Sequence, residues 1–210
     1  MKIKKFDSNF DNLTSIIGYG ISTIPYIGGT LSTIWFDIKG KIMVERFENF
    51  YKELSEELES VSDKIASIDP LDYNYIAVII EEINERIEKE YLSEKIKFLK
   101  NYFKNSLISP PNKNNFNERH YFIKTVGNMS LYECEILNGI VNNYDSIDIE
   151  NINTDNIGLL LGTVDKLKSY GFILTERKKI SFDTDDRLGL KIKISDFGKK
   201  FFDFCLKDIN

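Results

Sequence analysis

Histidine is the scarcest of the residues here that could do chemistry: His120 is the only one in 210 residues. A single imidazole excludes two-histidine zinc motifs and most Cys/His zinc sites, and leaves a Ser-His-Asp arrangement only formally open. His120 stands in Asn117-Glu118-Arg119-His120-Tyr121, a polar helix start, where a solvated or capping role is expected. Cys134 and Cys205 both lie in apolar helical contexts and read as buried free thiols of a reducing compartment. The acidic runs Glu53, Glu56, Glu57, Glu59 and Glu81, Glu82, Glu85, Glu88 have the density of a carboxylate metal site. Such sites in helical bundles use Glu-x-x-His pairs, which this chain cannot supply, so solvated helix faces are expected.

Two further patterns fail on spacing. Asp183-Thr184-Asp185-Asp186-Arg187-Leu188-Gly189 superficially resembles a calcium loop, but Arg187 falls where a ligand belongs and Leu188 where the sharp-turn glycine belongs. Gly18, Gly20, Gly28 and Gly29 are followed by no Gly-Lys-Ser/Thr and preceded by no clear strand, so they make no phosphate loop. The many Tyr and Phe residues fall on helical core faces rather than on a base-stacking platform. No catalytic residue, metal ligand or cofactor site is assigned, and a non-enzymatic protein is expected.

Composition sets the outer limits. Hydrophobic residues at 42% and charged residues at 29% are those of a folded soluble protein, and exclude a disordered chain or a multi-span membrane protein. The abundance of Ile, Lys and Asn is that of an AT-rich bacterial genome. A net charge of −5 and a pI near 5.1 argue against a general nucleic-acid binder, whose affinity comes from concentrated Lys and Arg.

The elements that would position any site follow from periodicity. Residues 12–36, from Asn12 to Phe36, contain no charge and carry nine Leu, Ile and Phe residues. Those would contribute roughly −3 to −5 kcal/mol to membrane insertion, which the interspersed Ser, Thr, Asn, Gly and Pro offset. Two short helices hinged at Ile24-Pro25 and Gly28-Gly29 fit residues 1–37 better than one spanning helix. Such an apolar hairpin packs on the rest of the protein or meets a membrane or partner, with Tyr19, Pro25, Tyr26, Gly28, Gly29, Trp35 and Phe36 as its contact residues.

Residues 38–108 read as an antiparallel helical bundle with charged faces outward. A long helix from about Ile38 to Ala66 carries Phe47, Phe50, Tyr51, Leu54, Leu58, Val61 and Ile65 at spacings of three and four, either a core stripe or a seam for homo-oligomerisation through residues 47–65. After Asp69-Pro70, a helix buries Ile76, Ile79, Ile80, Ile83 and Ile87, and another carries Leu92, Ile96, Leu99 and Phe103. The Pro- and Asn-rich segment 109–115 is the expected linker.

Residues 116–210 read as a winged helix-turn-helix domain with a two-stranded wing. Helices are expected over Phe116–Asn128, from a Ser130/Glu133 capping box onward with Ile136, Leu137, Ile140 and Val141 inward, and from Thr154-Asp155 to Gly171. Phe172–Phe182 and Leu188–Ile194 are the expected strands, with Asp183–Arg187 as the tip, and Ser195 caps a last helix. The fold class is therefore mainly α, an N-terminal helical bundle followed by the winged-helix domain.

A winged helix that reads DNA needs a basic, polar helix before the wing. Here Ile157, Leu159, Leu160, Leu161, Val164 and Leu167 dominate that helix, Thr163 and Ser169 could touch bases, and its basic residues are Lys166 and Lys168. Arg177, Lys178 and Lys179 stand where they could grip a phosphate, but Asp183, Asp185 and Asp186 at the tip would repel one. Residues 112–210 hold 14 Lys and Arg against 15 Asp and Glu, so sequence-specific DNA is not the expected partner.

Three stretches carry a resemblance: Ile24-Pro25-Tyr26-Ile27-Gly28-Gly29 leading into the helix with Arg46-Phe47; Leu131-Tyr132-Glu133-Cys134-Glu135-Ile136-Leu137; and Leu167-Lys168-Ser169-Tyr170-Gly171-Phe172-Ile173 followed by Ile194-Ser195-Asp196-Phe197-Gly198-Lys199-Lys200-Phe201-Phe202. In these the chain resembles the abortive-infection alpha-like family of bacterial proteins. The resemblance implies a role in phage defence or toxicity to the host cell, at a membrane or through partners, and transfers no catalytic residue. The expectation is thus a non-enzymatic defence- or stress-associated protein, cytoplasmic and peripheral to the inner face of the cell membrane, acting on a membrane surface or a protein partner. The alternative is a winged-helix transcriptional regulator or protein–protein adaptor with a helical dimerisation half.

Overall fold

The computed structural model describes residues 34–61, 64–65, 72–177 and 189–207. The described residues form seven α-helices and a three-stranded antiparallel sheet, so the protein is mainly α. Contacts divide the chain into two units, Met1–Gly127 and Asn128–Asn210.

In the first unit, helix α1 (Ile34–Glu59) starts earlier and stops sooner than its apolar pattern suggests. Its stripe is core: Phe47, Phe50, Tyr51, Leu54 and Leu58 are buried within the chain, as are Val61 and Ile65 beyond the helix end. The homo-oligomeric seam expected over 47–65 is therefore already covered. Burying large apolar side chains is worth about 1.5–3 kcal/mol each, more than any exposed arrangement of the same stripe would give.

Helices α2 (Tyr73–Lys89), α3 (Ser93–Ile108) and α4 (Phe116–Asn128) follow among the described residues. Their pairings run alternately up and down. The Tyr51 hydroxyl donates to Asn84 Oδ1 at 2.7 Å and Arg46 Nη1 to the Glu88 carbonyl at 3.0 Å, which sets α1 antiparallel to α2. Lys95 reaches the Val126 carbonyl and the Tyr102 hydroxyl reaches the Arg119 carbonyl, which sets α3 antiparallel to α4. The expected buried face of α2 is present in full. On α3 the buried apolar residues are Leu99, Tyr102, Phe103 and Leu107, while Leu92 and Ile96 are only half-buried.

Two expectations are corrected here. Segment 109–115 is a turn inside the first unit, closed by asparagines: the Asn112 carbonyl accepts from Asn115 and Phe116, and Asn112 Oδ1 accepts from Asn114 and Asn115. The division falls instead at 127/128, so α4 belongs with α1–α3 rather than with the C-terminal unit. Nor do all charges point outward, since Lys95, Lys100 and Lys104 are buried.

In the second unit the order is α5 (Leu131–Asn142), β1 (Ser146–Asp148), a 3-10 turn (Ile149–Asn151), α6 (Ile157–Ser169), β2 (Ile173–Arg177), β3 (Leu190–Ile194) and α7 (Asp196–Phe201), which continues as a π turn over Phe202–Leu206. The capping box at Ser130 and Glu133 is formed in full. The sheet order is β1-β3-β2, with Ile147 and Thr175 flanking Ile192. Its core holds Leu137, Ile140, Leu160, Leu167, Phe172, Ile192 and Phe201, with the rings of Phe172 and Phe201 stacked at 4.1 Å between centroids. Strand β1 was not anticipated. The tip Asp183–Arg187 and the second half of the first expected strand lie outside the described residues.

Candidate functional site

Helix α6 carries Thr163, Lys166, Lys168 and Ser169, four of the residues considered for nucleic-acid contact. It forms because Leu160, Thr163, Val164 and Leu167 recur at spacings of three and four and are all buried. Asn156 caps its start, accepting the Leu159 N–H at 3.0 Å. Its end is closed by Gly171 at φ +77°, with Phe172 N–H donating to the Leu167 carbonyl and Gly171 N–H to that of Lys168. That left-handed position is one where glycine carries no Cβ penalty.

The two lysines of α6 are already engaged. Lys166 Nζ donates to Glu133 Oε1 at 2.8 Å and lies 5.8 Å from the centre of the Tyr170 ring. The bond from Glu133 holds the ammonium above the ordinary lysine value. Glu133 is 5% exposed, and its other oxygen accepts the Ser130 N–H. Lys168 Nζ donates to Thr175 Oγ1 at 3.1 Å on β2. Arg177 ends β2 opposite Leu190, and Lys178 and Lys179 lie outside the described residues. Lys166 is thus drawn to α5 and Lys168 to β2, and the two do not converge on one phosphate. Of the side chains expected to touch bases, Thr163 is buried and Ser169 is exposed with its hydroxyl donating to the Lys166 carbonyl.

What α6 offers outward is different. Gly158, Gly162, Asp165 and Ser169 are exposed along one side, flanked by Ile157 at 45% and Leu159 at 53% exposure and by half-buried Leu161. A Cβ added at Gly162 would meet nothing within 4 Å. The helix therefore presents bare backbone edged by aliphatic side chains. Leu174, 59% exposed, lies on the sheet beside Glu176 and Lys193, on the face opposite the buried Ile173.

Of the other contact candidates, Tyr19, Pro25, Tyr26, Gly28 and Gly29 lie outside the described residues. Trp35 and Phe36 occupy the first turn of α1. Among the described residues no helix is long and apolar enough to cross a membrane.

The titratable groups of the first unit are drawn into packing. Glu57 receives Lys100 at 2.7 Å and Lys104 at 2.6 Å, and Lys100 also reaches Glu53 at 2.9 Å. Burial alone would raise the Glu57 carboxyl, but the two ammonium groups outweigh it and hold it below the usual carboxylate range. Burial likewise opposes the Lys100 charge, and the two glutamates outweigh it, so its ammonium is held above the usual value. Lys95 Nζ donates to the Val126 carbonyl at 2.7 Å and lies 3.4 Å from that of Gly127, binding the end of α4. His120 is half-buried, with its Nε2 3.2 Å from Glu82 Oε1 and its ring stacked on Phe116. No group of three or more His, Cys, Asp or Glu that could hold a metal occurs among the described residues.

Sequence reasoning missed the second role of Glu133 and the bare edge of α6. The signal for the edge was present, since Gly158 and Gly162 are four apart and opposite Leu160, Val164 and Leu167 on a helical wheel. No family model, curated protein or solved structure matches this chain.

Proposed function

We propose that this chain is a non-enzymatic adaptor that works through protein contacts made by the outward face of α6, in the setting of bacterial defence or stress that its resemblance implies. The observation that carries this is the pairing of exposed Ile157 and Leu159 with lysines that are already engaged within the unit. The order α5-β1-α6-β2-β3 with strand order β1-β3-β2 supports a winged-helix reading of the second unit. In that class the helix before the wing is the one that enters the major groove. Here its glycine-bare side, edged by Ile157 and Leu159 and carrying the acidic Asp165, suits contact with another polypeptide better than contact with phosphates.

The test is a photo-crosslinking residue at position 159, with position 174 as the exposed apolar control, in the full chain inside cells. A polypeptide adduct from 159 and none from 174 is expected. Absence of any polypeptide adduct from 159 overturns the reading.

The uncharged run from Asn12 to Phe36 favours a second reading, in which the chain contacts a membrane. Liposome flotation of the full chain beside a form lacking residues 1–33, which leaves α1 whole, decides it. Flotation of the intact chain alone supports membrane contact; flotation of neither chain rejects it.

A further inference from the structure

We propose that β1 is a releasable edge strand: the left-handed turn at Tyr144 and Asp145 works against its ladder with β3, and the ion pair of Asp145 with Lys199 latches it. The device is independent of the outward face of α6.

Backbone strain is the first observation. Tyr144 at φ 57° and Asp145 at φ 63° are the non-glycine residues with left-handed backbone among those described. In that region the Cβ of an L-residue crowds the following carbonyl, a cost that glycine escapes. The position just past the end of α6 is held by Gly171, whereas the same position after α5 is held by a tyrosine. The Tyr144 side chain recovers nothing by packing, being 98% exposed. Hydrogen bonds close the turn instead. Asn143 N–H donates to the Gly139 and Ile140 carbonyls, and Ser146 N–H to that of Asn143.

The second observation is how little holds β1 in place. None of its three residues is fully buried. Ile194 N–H donates to the Asp145 carbonyl at 2.9 Å on one side of β3, and Ser195 N–H to the Phe172 carbonyl at 2.8 Å on the other. Antiparallel alternation then aims the N–H groups of Ile192 and Ile194 at β1, and those of Lys191 and Lys193 at β2. Short, partly exposed segments with few buried apolar contacts open locally at low free energy. Ile149, 1% exposed, anchors the chain beyond the strand, so release is confined to residues 144–148. Lys199 Nζ meets Asp145 Oδ2 at 2.7 Å with both side chains half exposed, so solvent and salt weaken the latch. Release leaves β3 with an open edge carrying two unpaired N–H groups.

Native-state hydrogen exchange of the full chain, read by NMR along β3, tests this. The four amides share one strand, so the ratio of their protection cancels any change in global stability. Protection of Ile192 and Ile194 is expected to be at least about tenfold lower than that of Lys191 and Lys193, each corrected for its intrinsic rate. Lys199→Ala is expected to widen that ratio about two- to fivefold. Tyr144→Gly, which removes the strain, is expected to narrow it at least about threefold. Equal protection of all four amides in the wild type overturns the proposal. So does a ratio indifferent to Tyr144→Gly, which would show that the turn does not work against the strand. A Lys199→Ala variant that lowers all four amides alike, or none, overturns the latch and with it the proposal.

Discussion

Glu133 and Lys166 meet at 2.8 Å between α5 and α6, and the second oxygen of the same carboxylate accepts the Ser130 N–H at 3.3 Å. One buried side chain thus closes the cap of α5 and engages a cation of α6. Loss of a capping interaction costs about 0.5–2 kcal/mol, and loss of the charge-assisted bond from Lys166 adds to that. Glu133→Ala is therefore expected to destabilise the protein by about 1–3 kcal/mol in urea titration. Lys166→Ala, on a side chain 45% exposed, is expected to cost less than about 1 kcal/mol.

The clamp of Glu57 with Lys100 and Lys104 gives stability a direction in pH. The Glu57 carboxyl is held below its ordinary value of 4.5, so the folded chain binds fewer protons there than the unfolded one in that range. Its contribution is present above the unfolded value and fades as pH falls through the folded one. Glu57→Gln, which leaves two buried lysines short of a charge partner, is expected to cost about 1–3 kcal/mol near neutrality. The difference in Tm between wild type and variant is expected to shrink steadily below about pH 4.5. A difference that grows with acid would contradict the assignment.

Lys95 binds the last carbonyls of α4 from a position 3% exposed. Lys95→Met keeps the aliphatic stem and removes the donor, at an expected cost of about 1–3 kcal/mol. Hydrogen exchange is expected to quicken most in the last turn of α4, and an unchanged exchange rate there would show that the ammonium does not secure that turn.

Two glycines are expected to respond in opposite ways to the same change. A Cβ on Gly198 would collide with the backbone of Phe172, whose carbonyl accepts the Ser195 N–H at 2.8 Å. Gly198→Ala is expected to cost at least about 2 kcal/mol. A Cβ on Gly139, inside α5, would meet nothing within 4 Å. Gly139→Ala is expected to stabilise by about 0.5–1 kcal/mol through helix propensity. Thermal melts of the pair check both signs.

Regular periodicity made much of this legible in advance. The buried stripes of α1 and α2, the Ser130/Glu133 box, the Gly171 stop and the Leu190/Ile192/Ile194 alternation are local patterns whose tertiary role agrees with their chemistry. Strand β1 was not legible. It has three residues, follows Tyr144 and Asp145 at φ 57° and 63°, and exists only through its ladder with β3. The buried lysines were missed for a related reason. Lys100 and Lys104 read as a solvated face until α1 brings Glu53 and Glu57 across from more than forty residues away. The place of α4 was misread because a proline- and asparagine-rich segment resembles a linker, whereas here its asparagines bond one another into a turn.

The choice between duplex DNA and a polypeptide as the partner of α6 turns on its two lysines. Fluorescence anisotropy of a random-sequence duplex at low salt, with wild type beside Lys166→Ala/Lys168→Ala, reads it directly. Counterion release makes any phosphate contact weaken as salt rises. The expected result is the same feeble signal from both proteins. Tight wild-type binding that falls steeply with salt and is lost in the double variant would contradict the protein-contact function proposed for this face.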